Sequence, residues 1–193
     1  MSEENRKDSG FSAMVAERLF KRRQIIITGG IDDQVARSTS ASLLALTADG
    51  DAPITLFLSS PGGHVESGDM IYDMIKFVSP TVRIVGSGWV ASAGALIFVA
   101  AKRENRLCLP NTRFLLHQPS GGMGGQAADI AIQAEQIIKM RQRLNEIFSR
   151  ETGQPLERVE QDTDRDFWMT PAQAVDYGLL GRVIHAETEL GGA

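Results

Sequence analysis

"PITLFLSSPGGHVESGDMIYDMIKFVSPTVRIVG", Pro53 to Gly86, decides the fold. It opens on a run that is nearly all apolar, as strands buried in a parallel sheet are. "SSPGG" turns the chain sharply. A helix then runs to Val78, with Met70, Ile71, Met74, Ile75 and Val78 on its apolar face. Pro80 closes that helix, and "TVRIVG" makes the next strand. Upstream, "QIIITGG", Gln24 to Gly30, is a short branched run stopped by glycines, hence a strand. "DDQVARSTSASLLALTA", Asp32 to Ala48, begins with capping residues and then repeats apolar and small positions at helical spacing. Strand, helix, strand, helix, strand implies a parallel sheet with right-handed crossovers.

Downstream, a helix is expected from near Ala91 to before Lys102, and short strands in "RLCLP" and "TRFLLHQ". A long helix is expected from about Gln126 to Arg150, with Ala127, Ile130, Ala134, Ile137, Leu144 and Phe148 on one stripe. Roughly 25 helical residues span about 37 Å. That exceeds what a globule of 193 residues needs inside itself, so part of the helix is expected to project and pack on another subunit. A surface helix folded back on its own domain is the other reading of the same pattern. "PLERVEQDT" reads as a short helix, and "TPAQAVDYGLLG" as another, with Pro171 at its start and Gly178 at its stop. Residues 1–17 read as a loose arm and "AETELGGA" as a frayed tail. Neither repeat nor linker divides residues 18–193, which read as one domain.

Hydrophobic residues make up 42% and charged ones 23%, with a net charge of −4. This is an ordinary balance for a soluble globular chain and gives no support for nucleic-acid binding. "FKRRQ" is too brief a basic run to change that. The single cysteine, Cys108, excludes an internal disulfide and reads as a small buried apolar residue. No apolar run reaches the length of a spanning helix, and the polar start lacks a hydrophobic signal region, so no membrane partner and a cytoplasmic location are expected. Metal ligands at family spacings, a P-loop and a dinucleotide fingerprint are all missing from the sequence, so no metal or cofactor is expected.

The chemistry centres on "GSGWVASAGALIFVA", Gly86 to Ala100. Ser92 sits among residues with almost no side chain. A serine hydroxyl needs a base in reach and donors aimed at the developing oxyanion. The start of a helix offers unpaired N–H groups, and small neighbours let a carbonyl approach them. Gly86 and Gly88 would permit the turn from strand to helix. Close packing alone explains the same small residues. Three histidines are present: His64, His117 and His185. His117 ends an apolar strand at the mouth of a parallel sheet, where a base is well placed; an ordinary half-buried histidine is the plain alternative. "DTDRDFW" supplies carboxylates, and Asp166, beside Phe167 and Trp168, is the one expected to be shielded. "GGMGGQ" reads as a flexible loop, or as an edge to which an extended peptide adds.

Four stretches, "SSPGGHVESG", "VASAGALIFVAAK", "LPNTRFLLHQPSGGMGGQAADI" and "DTDRDFWMTPAQAVDYGLL", together resemble the proteolytic subunit of the Clp protease family. The likeness runs from about residue 18 to 184. It implies an α/β, crotonase-like fold: a superhelical core of repeated β-β-α units with a protruding handle helix. The head would take residues of about 18–118 and 151–187, and the handle about 119–150. The resemblance implies a triad of Ser92, His117 and Asp166, with Gly63 and Ala93 as main-chain oxyanion donors. It gives Gly121, Gly122, Met123, Gly124 and Gly125 the task of aligning the substrate. Asp164 and Arg165 match a ring-to-ring contact, and Phe57 and Phe77 match a groove that docks a AAA+ unfoldase of the ClpX or ClpA/ClpC type. The implied particle is a homo-oligomer of two stacked heptameric rings that hydrolyses unfolded polypeptides. A second reading is a ring subunit that acts only with another isoform, and a third is an acyl-CoA enzyme of the crotonase type. The sequence departs from the family in its amino-terminal arm, which lacks the usual aromatic-rich segment before the first basic run, and at three residues. Ala93 stands for a usual methionine, and His64 and Glu66 stand for small polar residues.

Overall fold

The computed structural model describes residues 3–119 and 126–191. Its centre is a sheet of seven strands: β1 (Gln24–Thr28), β2 (Ile54–Ser60), β3 (Val82–Ala91), β4 (Arg106–Cys108), β5 (Arg113–Leu116), β6 (Phe167–Met169) and β7 (Arg182–Val183). The main path is β1-β2-β3-β4-β7, parallel throughout. β3 is longer than the sequence suggests and serves two partners in tandem. Ile84–Gly86 pair with β4, and Trp89–Ala91 pair with β5, also parallel. β6 then lies antiparallel on β5. Neither β6 nor β7 is expected from pattern, because three and two residues are too few to show a period.

Gly86 and Gly88 serve a different purpose from the one expected. They sit inside β3, where Leu58 pairs with Gly86 but Ser60 pairs with Val90. The extra residues of β3 form a bulge, and Gly88 takes φ 67° within it. The turn from strand to helix comes later, at Ser92.

Helices α2 (Asp33–Asp49), α3 (Val65–Phe77) and α4 (Ala93–Phe98) follow strands β1, β2 and β3 and pack in series, α3 between the other two. Asp32 caps α2 by accepting from the Val35 N–H. The core runs through Leu43, Leu56, Ile71, Ile84, Leu96 and Phe98, each fully buried. α4 has no exposed face at all. α6 (Leu156–Asp162) and α7 (Pro171–Tyr177) complete the head; Thr170 and Gln173 form a capping box on α7, and Gly178 ends it in a left-handed conformation.

The long helix α5 is Ala127–Thr152, 26 residues. Its buried side chains, Leu144, Asn145, Ile147, Phe148 and Thr152, all belong to the carboxyl-terminal third. Further out, Ile132 and Ile138 are about two-thirds exposed. The helix therefore projects, as its length implies. Its root is held by Arg106, whose buried guanidinium donates to the carbonyls of Ala101, Val99 and Glu151 and to Glu151 Oε2.

Both ends of the chain are more ordered in structure than in pattern. Glu3–Lys21 forms helix α1, across the stretch that reads as an arm. Ala13, Met14, Ala16, Glu17 and Leu19 favour it, and Glu17 pairs with Lys21 one turn on. The tail closes in a 3-10 turn at Glu187–Gly191. The Glu189 carboxylate accepts from the His185 and Ala186 N–H groups, and Glu187 pairs with Arg22.

Candidate active site

Ser92 directly follows β3 and stands at the N-cap position of α4 with φ 55° and ψ −122°. That conformation is disfavoured for a residue with a Cβ, and the surroundings enforce it. Its N–H donates to Leu115 O at 3.0 Å, which ties it to β5. Its carbonyl accepts from Ala95 and Leu96, which starts the helix. Ala93, at the first helical position, has no intrahelical acceptor for its N–H. The small residues around Ser92 serve packing more than substrate clearance. Ala91 and Ala93 are almost fully buried, Gly94 lies against Ser60, and Gly68 of α3 lies against Ala93.

The register of β5 and β6 brings the other two residues together. Leu116 pairs with Phe167, so the next facing pair is His117 and Asp166. Their side chains meet: His117 Nδ1 donates to Asp166 Oδ1 at 3.1 Å. This contact fixes the tautomer and leaves Nε2 free to accept a proton. His117 is half-buried, whereas the Asp166 side chain is 64% exposed. The expectation that aromatic neighbours shield it fails, because β6 is an edge strand and Asp166 lies just before it. Ser92 and His117 line one cleft with Ala93 and Pro119; Val65, Leu96, Leu144 and Phe148 form its apolar wall. Ser92 Oγ makes no hydrogen bond among the described residues, so the link from serine to histidine is open in this single chain.

The loop after β2 faces the same serine. Gly62 and Gly63 take φ 102° and 153°. Ile31 forms a parallel bridge to Gly63, donating to Gly62 O at 2.9 Å and accepting from His64 N at 2.8 Å. That pattern leaves Gly63's own N–H on the opposite side of the loop. Ser60 is structural: it donates to Gly29 O and accepts from the Gly62 N–H. Gly62 itself carries no sequence signal beyond being one of two glycines, yet its close approach to Ser92 makes it part of the site.

The other residues expected to act are dispersed. Asp164 is paired within the chain, with Arg141 at 3.2 Å, and its backbone carbonyl accepts from Gln118. Arg165 is exposed. Phe57 is half-buried against Val85, Leu107 and Ile184, while Phe77 is 77% exposed. Gly121, Gly122, Met123, Gly124 and Gly125 lie outside the described residues. Cys108 is buried, and that burial pushes its thiol up to about 11, which suits an inert packing residue.

A strained serine lining one cleft with a histidine that is paired to a carboxylate is the set of groups a serine hydrolase uses. Comparison with known proteins narrows this. The Clp protease family model matches residues 6–187. The chain is 61% identical to an ATP-dependent Clp protease proteolytic subunit of Paracoccus denitrificans, over 91% of this chain and 88% of that one. It is 51% identical to proteolytic subunit 2 of Pseudomonas aeruginosa, over 92% and 89%. ClpP1 from Listeria monocytogenes superposes with a TM-score of 0.83 at 45% identity, covering 91% of this chain and 99% of that one. A point mutant of the same protein gives 0.86 at 46%, with the same coverage. The chain belongs to the Clp protease family and is a proteolytic subunit, a serine endopeptidase.

Proposed function

We propose that Ser92, His117 and Asp166 are the catalytic triad, with the N–H groups of Gly63 and Ala93 as the oxyanion hole. The observation that carries this reading is the 3.1 Å contact between His117 and Asp166, formed across β5 and β6 beside the strained Ser92. In the reaction, His117 Nε2 takes the Ser92 hydroxyl proton as Oγ attacks the scissile carbonyl. The oxyanion is held by Gly63 and Ala93. His117 then protonates the departing amine, leaving an acyl ester on Ser92. Water adds to that ester with His117 again as base, and the carboxylic acid leaves. Asp166 keeps the imidazole in its working tautomer and offsets its positive charge.

The Gly121–Gly125 segment aligns an extended polypeptide for cleavage. The substrates are unfolded chains. The particle is two stacked heptameric rings, joined through the projecting part of α5, with Asp164 and Arg165 at the ring contact. Assembly closes the open link between Ser92 and His117. Phe57 and Phe77 belong to a groove for a AAA+ unfoldase, which does the ATP-dependent work for which the relatives are named. The complex works in the cytoplasm. Head and handle divide near residues 119 and 150. A second reading, a ring subunit active only beside another isoform, is favoured by the relatives numbered 2 and 3 and by that open link.

The test is labelling of the assembled protein with a fluorophosphonate, followed by peptide mapping. The expected adduct is on Ser92, and Ser92→Ala removes both label and peptidase activity while leaving the particle mass unchanged. Full labelling of Ser92→Ala would refute the assignment. Labelling that appears only after mixing with another isoform would select the second reading.

A further inference from the structure

Side chains alternate along a strand, and here both faces of the sheet carry apolar ones. Ile25, Ile27, Leu56, Leu58, Ile84 and Cys108 belong to the main core. The residues between them point the other way. Ile26 pairs with Phe57, Phe57 with Val85, Val85 with Leu107 and Leu107 with Arg182, which makes one row across five strands. Val85 and Leu107 are fully buried, and with Ile184 they form a cluster separate from the main core. Two partly buried side chains pack on that cluster: Phe57 of the row itself, and Leu190 from the carboxyl-terminal tail.

The tail is folded back to put Leu190 there. Arg182 Nη2 donates to Glu189 O at 2.7 Å. The Glu189 carboxylate accepts from the His185 and Ala186 N–H groups at 2.8 Å each, and the Glu189 N–H donates to Ala186 O at 3.1 Å. The Arg22–Glu187 pair is exposed at both ends and adds little. The fastening is slight beside what it covers: one short turn and one half-buried leucine lie on residues that belong to the sheet itself. The cover is also partial. Strands about 4.8 Å apart give the row a length of about 19 Å. The 3-10 turn Glu187–Gly191 rises about 2 Å per residue, hence about 10 Å in all. Ile26, at the far end of the row, is exposed.

We propose that the tail Glu187–Gly191 plugs the unfoldase groove from within the chain: Leu190 occupies the seat on Phe57, Val85, Leu107 and Ile184 that an apolar side chain of the unfoldase takes, and docking displaces it. The inference rests on the reading of Phe57 as part of that groove. The seat takes an aliphatic side chain carried on a tight turn, so a partner loop bearing one has the form that fits. Such a loop enters at the uncovered Ile26 end and then competes with Leu190 for the covered end. The apparent affinity of the groove is reduced by the fraction of subunits whose tail is lifted. The plug thus sets how much unfoldase the particle needs, without touching the cleft at Ser92.

The experiment titrates the assembled protein with a AAA+ unfoldase of the ClpX type in the presence of ATP and reads degradation of a folded substrate. Wild type is compared with a chain ending at Ala186, with Leu190→Ser and with Phe77→Ser, particle mass being measured for each. The shortened chain and Leu190→Ser are expected to reach half-maximal degradation at about three- to tenfold less unfoldase, because their grooves are open before the partner arrives. Their hydrolysis of a short peptide without unfoldase is expected to stay within about twofold of wild type. An unchanged midpoint in both overturns the proposal. So does a higher midpoint, which would make the tail a contact of the unfoldase and not its competitor. Should the shortened chain fail to assemble, Leu190→Ser decides alone. Phe77→Ser separates the two levels. Unchanged tail variants beside a weakened Phe77→Ser sink only the plug, whereas unchanged midpoints in all three sink the groove as well.

Discussion

A Cβ on Gly62 would lie 2.5 Å from Ser92 Cβ and 3.0 Å from Ser92 Oγ, so Ser92 stands where any side chain at Gly62 would have to be. Gly62 also takes φ 102°, which only glycine adopts without strain. Gly62→Ala should therefore push Ser92 aside while the buried sheet beneath holds. The expected result is a loss of about 100-fold or more in kcat, in line with a small misplacement of reacting groups. Fluorophosphonate labelling should fall with it, and the far-ultraviolet circular dichroism should not change. Normal labelling would mean that the loop can retreat without cost.

Asp166 invites a sharper test, because its exposure argues for a weak role and its geometry for a strong one. A carboxylate 64% exposed offers little charge stabilisation in the single chain. Orientation of the His117 tautomer does not need burial. Asp166→Asn would turn an amide N–H or a poorer acceptor towards Nδ1. A fall in kcat of about 1000- to 10,000-fold with KM nearly unchanged is expected if tautomer control dominates. A fall below about tenfold would show that solvent substitutes for the carboxylate.

The difference between these two sites shows what the sequence carries. Ser92 and His117 are legible because each ends or follows an apolar run long enough to have a period. Asp166 emerges from its motif alone: β6 has three residues, and its antiparallel register against β5, which puts Asp166 opposite His117, leaves no periodic trace. The Ser92 backbone strain is likewise invisible, since it is set by the bulge in β3 and the tie to Leu115. Helix α1 is missed for a different reason. Its first turns, "EENRKDSG", are polar all round and show no stripe to bury.

Glu151 couples the root of α5 to the head through Tyr72, Lys76 and Arg106. Burial pushes its carboxyl upward, but the hydrogen bonds from Lys76 and Tyr72 and the charges of Lys76 and Arg106 outweigh it, and the group lies below its ordinary 4.5. A depressed carboxyl contributes stability that is fully present above its unfolded value and is lost as pH falls through the folded one. Glu151→Gln should cost about 2–4 kcal/mol near neutrality, because Arg106 keeps a buried charge without its partner. Denaturant titrations should show wild type and variant converging below the ordinary 4.5, as the wild-type carboxyl protonates. A gap that stays constant to lower pH would place the effect in packing and not in charge.

Phe77 offers a clean test of the docking groove, because Phe57 does not. Phe57 is packed against Val85, Leu107 and Ile184, so shortening it would cost stability as well as any partner contact. Phe77, the last residue of α3, is 77% exposed and contributes little to the core. Phe77→Ser should change the unfolding free energy by less than about 0.5 kcal/mol and leave hydrolysis of short peptides within about twofold. Its effect belongs at the partner: an aromatic anchor lost from an interface costs about 2 kcal/mol or more, roughly a thirtyfold weaker association. Degradation of a folded substrate in the presence of unfoldase and ATP should fall accordingly, and excess unfoldase should partly restore it. Undiminished degradation at limiting unfoldase would remove Phe77 from the docking surface, and a loss of short-peptide hydrolysis would point instead to a change transmitted along α3 to the loop beside Ser92.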